Sequence, residues 1–152
     1  MADYRETVDY ILGIPLFAQK IGKENLSSLL CRLGNPEKAV PAIHVAGTNG
    51  KGSTCRALAQ MLAARGYRVG LFISPHLVSI NERIQINGTN ISDDDFVSAF
   101  ETVKGQFMEH PSFFEVMFAM AAVYFRQQKC DFAVYELSLI HISEPTRRVV
   151  IS

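Results

Sequence analysis

Three glycines and a lysine lie close together between residues 47 and 52. A β-branched apolar run precedes them at residues 42–46, and a segment with helical periodicity follows. This order of strand, loop and helix is typical of phosphate-binding loops. Glycine lets backbone N–H groups point into one concavity, and the helix N-terminus adds positive partial charge. Lys51 would add a full charge for the outer phosphates. Glycine-rich turns also occur without a ligand, so the remaining residues must support this interpretation.

The common P-loop pattern G-x-x-x-x-G-K-[ST] does not fit this segment. It requires glycine where Val45 stands, and Ser or Thr directly after Lys51, where Gly52 stands. The segment instead resembles the variant P-loop of the Mur ligase superfamily, and its Gly-Ser ending is similar to that of the folylpolyglutamate synthase branch. The resemblance assigns phosphate binding to the whole loop: Gly47, Thr48, Asn49, Gly50, Lys51, Gly52 and Ser53.

Two further strand ends carry oxygen-bearing side chains. Ser74 follows a predicted buried strand at 69–73, and Glu136 follows another at 132–135. Ligands of parallel sheets bind outside the carboxyl ends of the strands, and Mg²⁺ prefers oxygen ligands. Taken alone, a serine before proline is typical of a turn and a glutamate at a strand end is typical of a solvated side chain. The resemblance favours the metal role, because both residues match magnesium-ligand positions of the synthases.

The resemblance covers nearly all of residues 4–136 and also implies a folate site. Residues 80–84 are similar to a loop that closes over folate in the family, so Arg83 is a predicted folate contact. His76 fits either contact with a ligand or support of this loop, and the sequence does not decide between them.

A second folate segment is implied at residues 112–115. It resembles the family segment whose aromatic residue packs against the pterin ring, which makes Ser112 and Phe114 predicted folate contacts. A flat aromatic side chain suits a flat heterocycle, since stacking adds about 0.5–1.5 kcal/mol to simple burial. By spacing alone, Phe113 and Phe114 indicate only the start of a buried helix.

The implied activity is that of an ATP-dependent ligase that adds L-glutamate to folate through an acyl phosphate. The cofactors would be ATP and Mg²⁺, dihydropteroate is a further candidate substrate, and Lys51 would be the catalytic cation. Two alternatives stay open: another Mur-type ligase acting on a cell-wall precursor, and a stand-alone nucleotide-binding module without ligase activity. The full-length enzyme is expected to be a monomer.

Composition supports an ordinary globular protein of one domain. Fifteen basic residues balance fifteen acidic ones among 152, so no net field favours nucleic acid or a membrane surface. The longest apolar run, residues 116–125, is far shorter than the roughly 20 residues of a membrane span. Three widely spaced cysteines form no metal or disulfide pattern, which favours a reduced, cytoplasmic setting.

Strands alternate with helices along the chain, which predicts an α/β fold: a P-loop-containing parallel sheet flanked by helices, as in the central ATPase domain of Mur ligases. The helix after the loop is expected to end at Gly66 and to bury Cys55, Leu58, Met61 and Leu62. Before the turn signal Asn87-Gly88, a short exposed strand is expected at 83–86. The other predicted helices cover about residues 4–12, 26–33, 93–107 and 113–128.

The family resemblance stops after Glu136. Residues 137–147 instead resemble the conceptual translation of a transposase adaptor used in preparing sequencing libraries. Residues 1–136 are therefore expected to be the N-terminal part of the ATP-binding domain, and 137–152 a non-native tail. The C-terminal glutamate-ligase domain would be absent, and the chain itself inactive. A genuine strand at 137–142 is the alternative, and 147–151 is expected to be an unsupported end.

Overall fold

The computed structural model describes residues 3–15, 26–47, 50–108, 110–137 and 148–151. Two compact units are formed, one by Met1–Ala39 with Ser92–Arg126 and the other by Val40–Ile91 with Gln127–Ser152. The described elements are, in chain order, α1 Tyr4–Leu12, α2 Leu26–Arg32, α3 Pro36–Ala39, β1 Ala42–Gly47, α4 Lys51–Ala64, β2 Val69–Phe72, a 3-10 helix Ile80–Arg83, β3 Ile84–Ile86, β4 Thr89–Asn90, α5 Asp93–Lys104, α6 Phe113–Gln127, β5 Phe132–Leu137 and β6 Arg148–Ile151.

We call the first of these units the helical unit and the second the sheet unit. In the helical unit, side-chain caps explain where two helices begin. The Asp3 carboxylate accepts a hydrogen bond from the Arg5 N–H at the start of α1. The Ser92 hydroxyl accepts one from Asp95 N–H, at 3.1 Å, at the start of α5. Such caps satisfy backbone donors that have no partner within the helix. The predicted starts of both helices are therefore confirmed, whereas α5 ends three residues earlier than predicted, just before Gly105.

Aromatic side chains join α1 to α5. The Tyr4 ring meets Phe96 edge-on with centroids 5.8 Å apart, and Tyr10 lies 5.6 Å from Phe100. Helix α6 is largely buried, as predicted, with every residue from Val116 to Phe125 inaccessible to solvent or nearly so. No helix in the described part of the chain is long and apolar enough to cross a membrane.

The second unit contains a six-stranded sheet of order β4-β3-β2-β5-β1-β6. Strands β2, β5, β1 and β6 pair in parallel, which confirms the predicted parallel sheet. Strands β3 and β4 add an antiparallel edge, so the complete sheet is mixed. Asn87 and Gly88 connect these two strands with φ angles of 48° and 83°, the geometry that makes Asn-Gly a strong hairpin signal.

Helix α4 packs its buried Cys55 and Ala59 against a core that includes Val45, Leu71 and Val134. Its predicted apolar face is wrong at Met61, which is 66% exposed. At 3.6 residues per turn, a position six residues after Cys55 lies about 120° away around the helix axis. Met61 therefore points away from the core, although its hydrophobicity suggested burial.

The predicted strand before Asn87 is confirmed, but its predicted exposure is wrong at Ile84, which is completely buried. Ile84 pairs with Phe72 of β2, so this segment is part of the sheet rather than an isolated exposed strand. Arg83, expected to open this strand, instead ends a 3-10 helix. Its Ser79 start is capped by side chains, which a pattern of alternating residues did not reveal.

The prediction of an unsupported C-terminal end is also wrong. Strand β6 pairs in parallel with β1, with Arg148 opposite His44 and Ile151 opposite Gly47. Strand β1 offers backbone donors and acceptors along this side, and β-branched residues fit a pleated surface. The adaptor-like residues 138–147 lie outside the described residues.

Candidate functional site

The turn into α4 is built on a glycine with positive φ. Gly50 is the N-cap of α4 at φ 72° and ψ 8°, and it provides no side-chain cap. An L-residue is strained there, whereas glycine is not. Backbone N–H groups at a helix start that have no side-chain cap are suited to an anion. Lys51 is the first residue of the helix; Thr48 and Asn49 lie outside the described residues.

A buried carboxylate stands beside this turn. Glu136 is 8% exposed and lies on β5, opposite Val45 of the adjacent strand β1. A Cβ placed on Gly52 would be 3.6 Å from its Oε2, so the start of α4 directly adjoins the carboxylate. The Ser74 N–H donates to the same oxygen at 3.4 Å. The structure thus places the predicted Ser74 and Glu136 next to each other and next to the loop.

Burial is the main influence on Glu136, and it raises the pKa of the carboxyl group. The Ser74 hydrogen bond and the positive charges of Lys51, Arg56 and Arg83 oppose this rise in pKa. A buried anion surrounded by separate cations has its charge only partly compensated. Burial therefore outweighs the three neighbouring positive charges in its effect on the pKa of this carboxyl group.

The donor set fits Mg²⁺ held together with a nucleotide. Glu136 offers a carboxylate, and the exposed Ser74 adds a hydroxyl. Mg²⁺ bound to nucleotides commonly uses one or two protein groups and takes its other ligands from phosphate and water. Groups of three or more His, Cys, Asp or Glu side chains that could hold a metal by themselves do not occur within the described ranges.

Cys55 is a buried residue of α4 near Glu136, and its thiol is unreactive at neutral pH. Burial, followed by the charge of Glu136, raises the pKa of its thiol to about 12. A thiol with such a pKa is not a nucleophile at neutral pH, because the thiolate is the reactive form. The site therefore suits binding and charge stabilisation rather than covalent catalysis by cysteine.

The loop after β2 contains His76, whose role the sequence left open, and Arg83, a predicted folate contact. The Arg83 Nε–H donates to His76 Nδ1 at 2.7 Å, so His76 supports the loop through Arg83. Burial and the Arg83 charge lower the pKa of His76, which keeps Nδ1 available as an acceptor. Arg83 is partly buried, and burial lowers the pKa of its guanidinium against the opposing charge of Glu136.

Ser112 and Phe114 belong to the helical unit, whereas Arg83 belongs to the sheet unit. The Ser112 N–H donates to Glu115 Oε1 at 2.9 Å, and its hydroxyl accepts from Glu115 N–H at 3.2 Å. This reciprocal pair caps α6. Phe113 is buried, while Phe114 is only partly buried and lies 5.8 Å from the Phe118 ring. Of the two phenylalanines, Phe114 is the more exposed.

Two residues near the site were missed from the sequence. A Cβ on Gly52 would lie 3.7 Å from Arg56 Nη1, which places this guanidinium beside the loop. Their i, i+4 spacing on α4 was the available signal. The second is Glu82, whose carboxylate caps the preceding turn. Its Ser-x-x-Glu spacing from Ser79 is the signature of a capping box.

No protein-family model matches the chain. The dihydrofolate synthase/folylpolyglutamate synthase of Bacillus subtilis is 37% identical over 163 aligned residues, which cover 98% of the chain and 38% of that protein. The solved folylpolyglutamate synthetase from Lactobacillus casei has a TM-score of 0.85 and 36% identity, covering 98% of the chain and 40% of its own. A solved FPGS–AMPPCP–folate complex has a TM-score of 0.83 and 39% identity. The alignment covers 90% of the chain and 35% of the solved chain.

The chain thus spans less than half the length of the relatives it matches. Sequence and fold agree, because folylpolyglutamate synthases are found by both kinds of comparison, and the solved structures cover 90% and 98% of the chain. Over nearly its entire length, the chain is therefore homologous to a part of the folylpolyglutamate and dihydrofolate synthases.

Proposed function

We propose that the chain forms the nucleotide-binding part of an ATP-dependent ligase that joins L-glutamate to folate. The observation that carries this proposal is the buried Glu136 carboxylate beside Gly52 at the start of α4, with Lys51 as the first helical residue. An uncapped helix start, a lysine and a carboxylate are the parts that a magnesium nucleotide needs. The complex of a homologous synthase with AMPPCP and folate supports the same assignment.

Each residue of the loop has a defined task in this proposal. Residues 47–53 position the phosphates through backbone N–H groups, and Lys51 offsets the negative charge that gathers on the transferred phosphoryl group. Glu136 and Ser74 hold Mg²⁺. When bound, ATP supplies the phosphoryl group that activates a folate carboxylate for attack by the amine of glutamate. The protein itself contributes position and charge.

For the folate side, we assign Arg83, Ser112 and Phe114 as contacts. A guanidinium pairs well with a carboxylate, which suits Arg83 to the acidic part of the substrate. Phe114 keeps part of its ring accessible and can stack on a flat heterocycle. Dihydropteroate is a second candidate substrate, since it shares the pterin ring.

The domain assignment follows from the same reasoning. We assign residues 1–136 to the ATP-binding domain and 137–152 to a non-native tail, because the family resemblance stops after Glu136. We place the complete enzyme in the cytoplasm as a monomer that binds neither nucleic acid nor membrane. The three cysteines are free thiols, which agrees with a reducing compartment.

The decisive experiment compares the 152-residue chain with a chimera. In the chimera, residues 137–152 are replaced by the corresponding continuation of the Bacillus subtilis relative. We expect the chimera to form folate diglutamate when ATP, Mg²⁺ and glutamate are present, and the 152-residue chain to form none. Omission of folate is the control for unproductive ATP hydrolysis.

Two outcomes would contradict the proposal. A soluble chimera that binds MgATP but never joins glutamate to folate would favour the stand-alone nucleotide-binding module. Ligation by the 152-residue chain itself would overturn the domain assignment.

A further inference from the structure

The carboxylate of Glu82 binds three consecutive backbone N–H groups. Its Oε1 accepts from Leu77 at 2.8 Å, and its Oε2 accepts from Val78 at 3.0 Å and from Ser79 at 2.8 Å. Three converging donors form a concave anion site, here filled by a side chain from the same loop. These bonds hold a segment whose Leu77 and Val78 side chains are 90% and 91% exposed. The segment is therefore ordered by Glu82 rather than by apolar burial.

Further bonds connect this segment to the candidate site. The Glu82 N–H donates to the Ser79 carbonyl oxygen at 3.0 Å. Separately, the Ser79 and Glu82 side chains each accept from the other residue's backbone N–H, which forms a capping box at the start of the 3-10 helix. The next residue, Arg83, accepts from Ile73 N–H at 3.0 Å through its carbonyl oxygen and donates to His76 at 2.7 Å. The loop is thus bonded at its end to Ile73, the residue after β2. Along its middle it is held by the three hydrogen bonds that Glu82 accepts, which we call the clamp.

We propose that Glu82 is a positioning residue, which holds the 74–83 loop in the conformation that presents Ser74 to the metal and Arg83 to the folate. This role in catalysis rests on the proposed function. The clamp itself does not, because it is a property of the free loop. The physical advantage is preorganisation, since a loop ordered before binding loses less conformational entropy when the ligand arrives.

The charge state of Glu82 is consistent with the clamp. The three backbone hydrogen bonds lower the pKa of this carboxyl group, with Leu77 the largest contributor, and they outweigh the opposing effect of desolvation. For a lowered pKa, the stabilising contribution is present above the ordinary value of 4.5 and is lost as pH falls through the value in the folded state. The clamp is therefore fully formed at neutral pH.

The first test measures amide hydrogen exchange by NMR in the 152-residue chain. With Glu82→Gln, which keeps the size but removes the charge and one acceptor, the amides of residues 77–79 should exchange at least about tenfold faster. Amides of α4 and β5 should keep their protection, and so should the loop in the control Glu6→Gln, an exposed residue of α1. Unchanged protection of residues 77–79 would overturn the proposal.

A second measurement does not depend on the variant being folded. In the wild-type chain, the amide proton shifts of residues 77–79 should titrate together with the Glu82 carboxyl carbon, below pH 4.5. Independent titration would show that the carboxylate is not their partner.

The positioning role is tested in the active chimera described above. Glu82→Gln should raise KM for folate about tenfold and lower kcat less than about threefold, because binding geometry is affected more than the transferred group. An unchanged KM despite faster amide exchange would overturn the positioning role. If the parent chimera itself shows no activity, the proposed function fails, and the amide exchange data still decide on the clamp.

Discussion

Replacing Glu136 by glutamine separates the binding role of this residue from its effect on stability. The substitution keeps the shape and an oxygen that can accept from Ser74 N–H, but it removes a buried negative charge. Because burial raises the pKa of Glu136 despite three nearby cations, the folded state disfavours the ionised form. Glu136→Gln should therefore stabilise the free chain by about 0.5–2 kcal/mol, because the substitution removes a buried charge that a binding function would require. For a domain of this size, each 1 kcal/mol raises Tm by about 2–4 °C.

The pH dependence has a definite sign. A folded-state pKa above the ordinary 4.5 means that the folded protein binds the proton more tightly than the unfolded chain does. This contribution to stability is fully present below pH 4.5 and is lost as pH rises through the raised value. Chemical denaturation of the wild type at pH values from 4.5 upward should show this loss, and Glu136→Gln should lack it.

Ligand binding should change in the opposite direction. If the carboxylate holds Mg²⁺, the variant should bind MgATP about tenfold more weakly, and saturating MgATP should then stabilise it by about 1.4 kcal/mol less than the wild type. Exposed Glu101, changed to glutamine, serves as the control and should alter stability by less than about 0.5 kcal/mol. Destabilisation of the free Glu136→Gln chain by more than about 1 kcal/mol would refute the reasoning, because it would make the carboxylate a net structural ion pair.

Three further substitutions examine the turn into α4. Lys51→Ala in the active chimera should reduce turnover by several orders of magnitude, since a positioned charge is lost; near-native kcat would contradict its role. Gly50→Ala should destabilise the chain by about 1–2 kcal/mol in urea titrations because its φ is 72°, whereas Gly105→Ala, at φ −61°, should be neutral or stabilising. Equal effects would exclude backbone strain. Arg56→Gln should raise the pKa of the neighbouring buried carboxyl further in an NMR titration, and Arg65→Gln at the other end of the helix should not.

Local sequence chemistry determined much of this protein. The β-branched run before the glycines became β1, the acidic and hydroxyl caps began α1 and α5 where predicted, and Asn87-Gly88 formed the hairpin turn. These signals succeed because they depend on neighbours within a few residues, so no distant contact is needed to interpret them. The adjacency of Ser74 and Glu136 also followed, since carboxyl ends of parallel strands share one edge of a sheet.

Only the tertiary structure decided features that join distant parts of the chain. Ile84 is completely buried in a strand that pairs with β2, although the alternating pattern at 83–86 predicted an exposed strand. The raised pKa of Glu136 requires its burial, and the cations near it come from separate elements of the sheet unit. Likewise, the pairing of β6 with β1 depends on an open strand edge, which no local pattern encodes. The burial of a side chain, the charges around it and the pairing of strand edges depend on residues far apart in sequence. They are therefore decided only when the chain has folded.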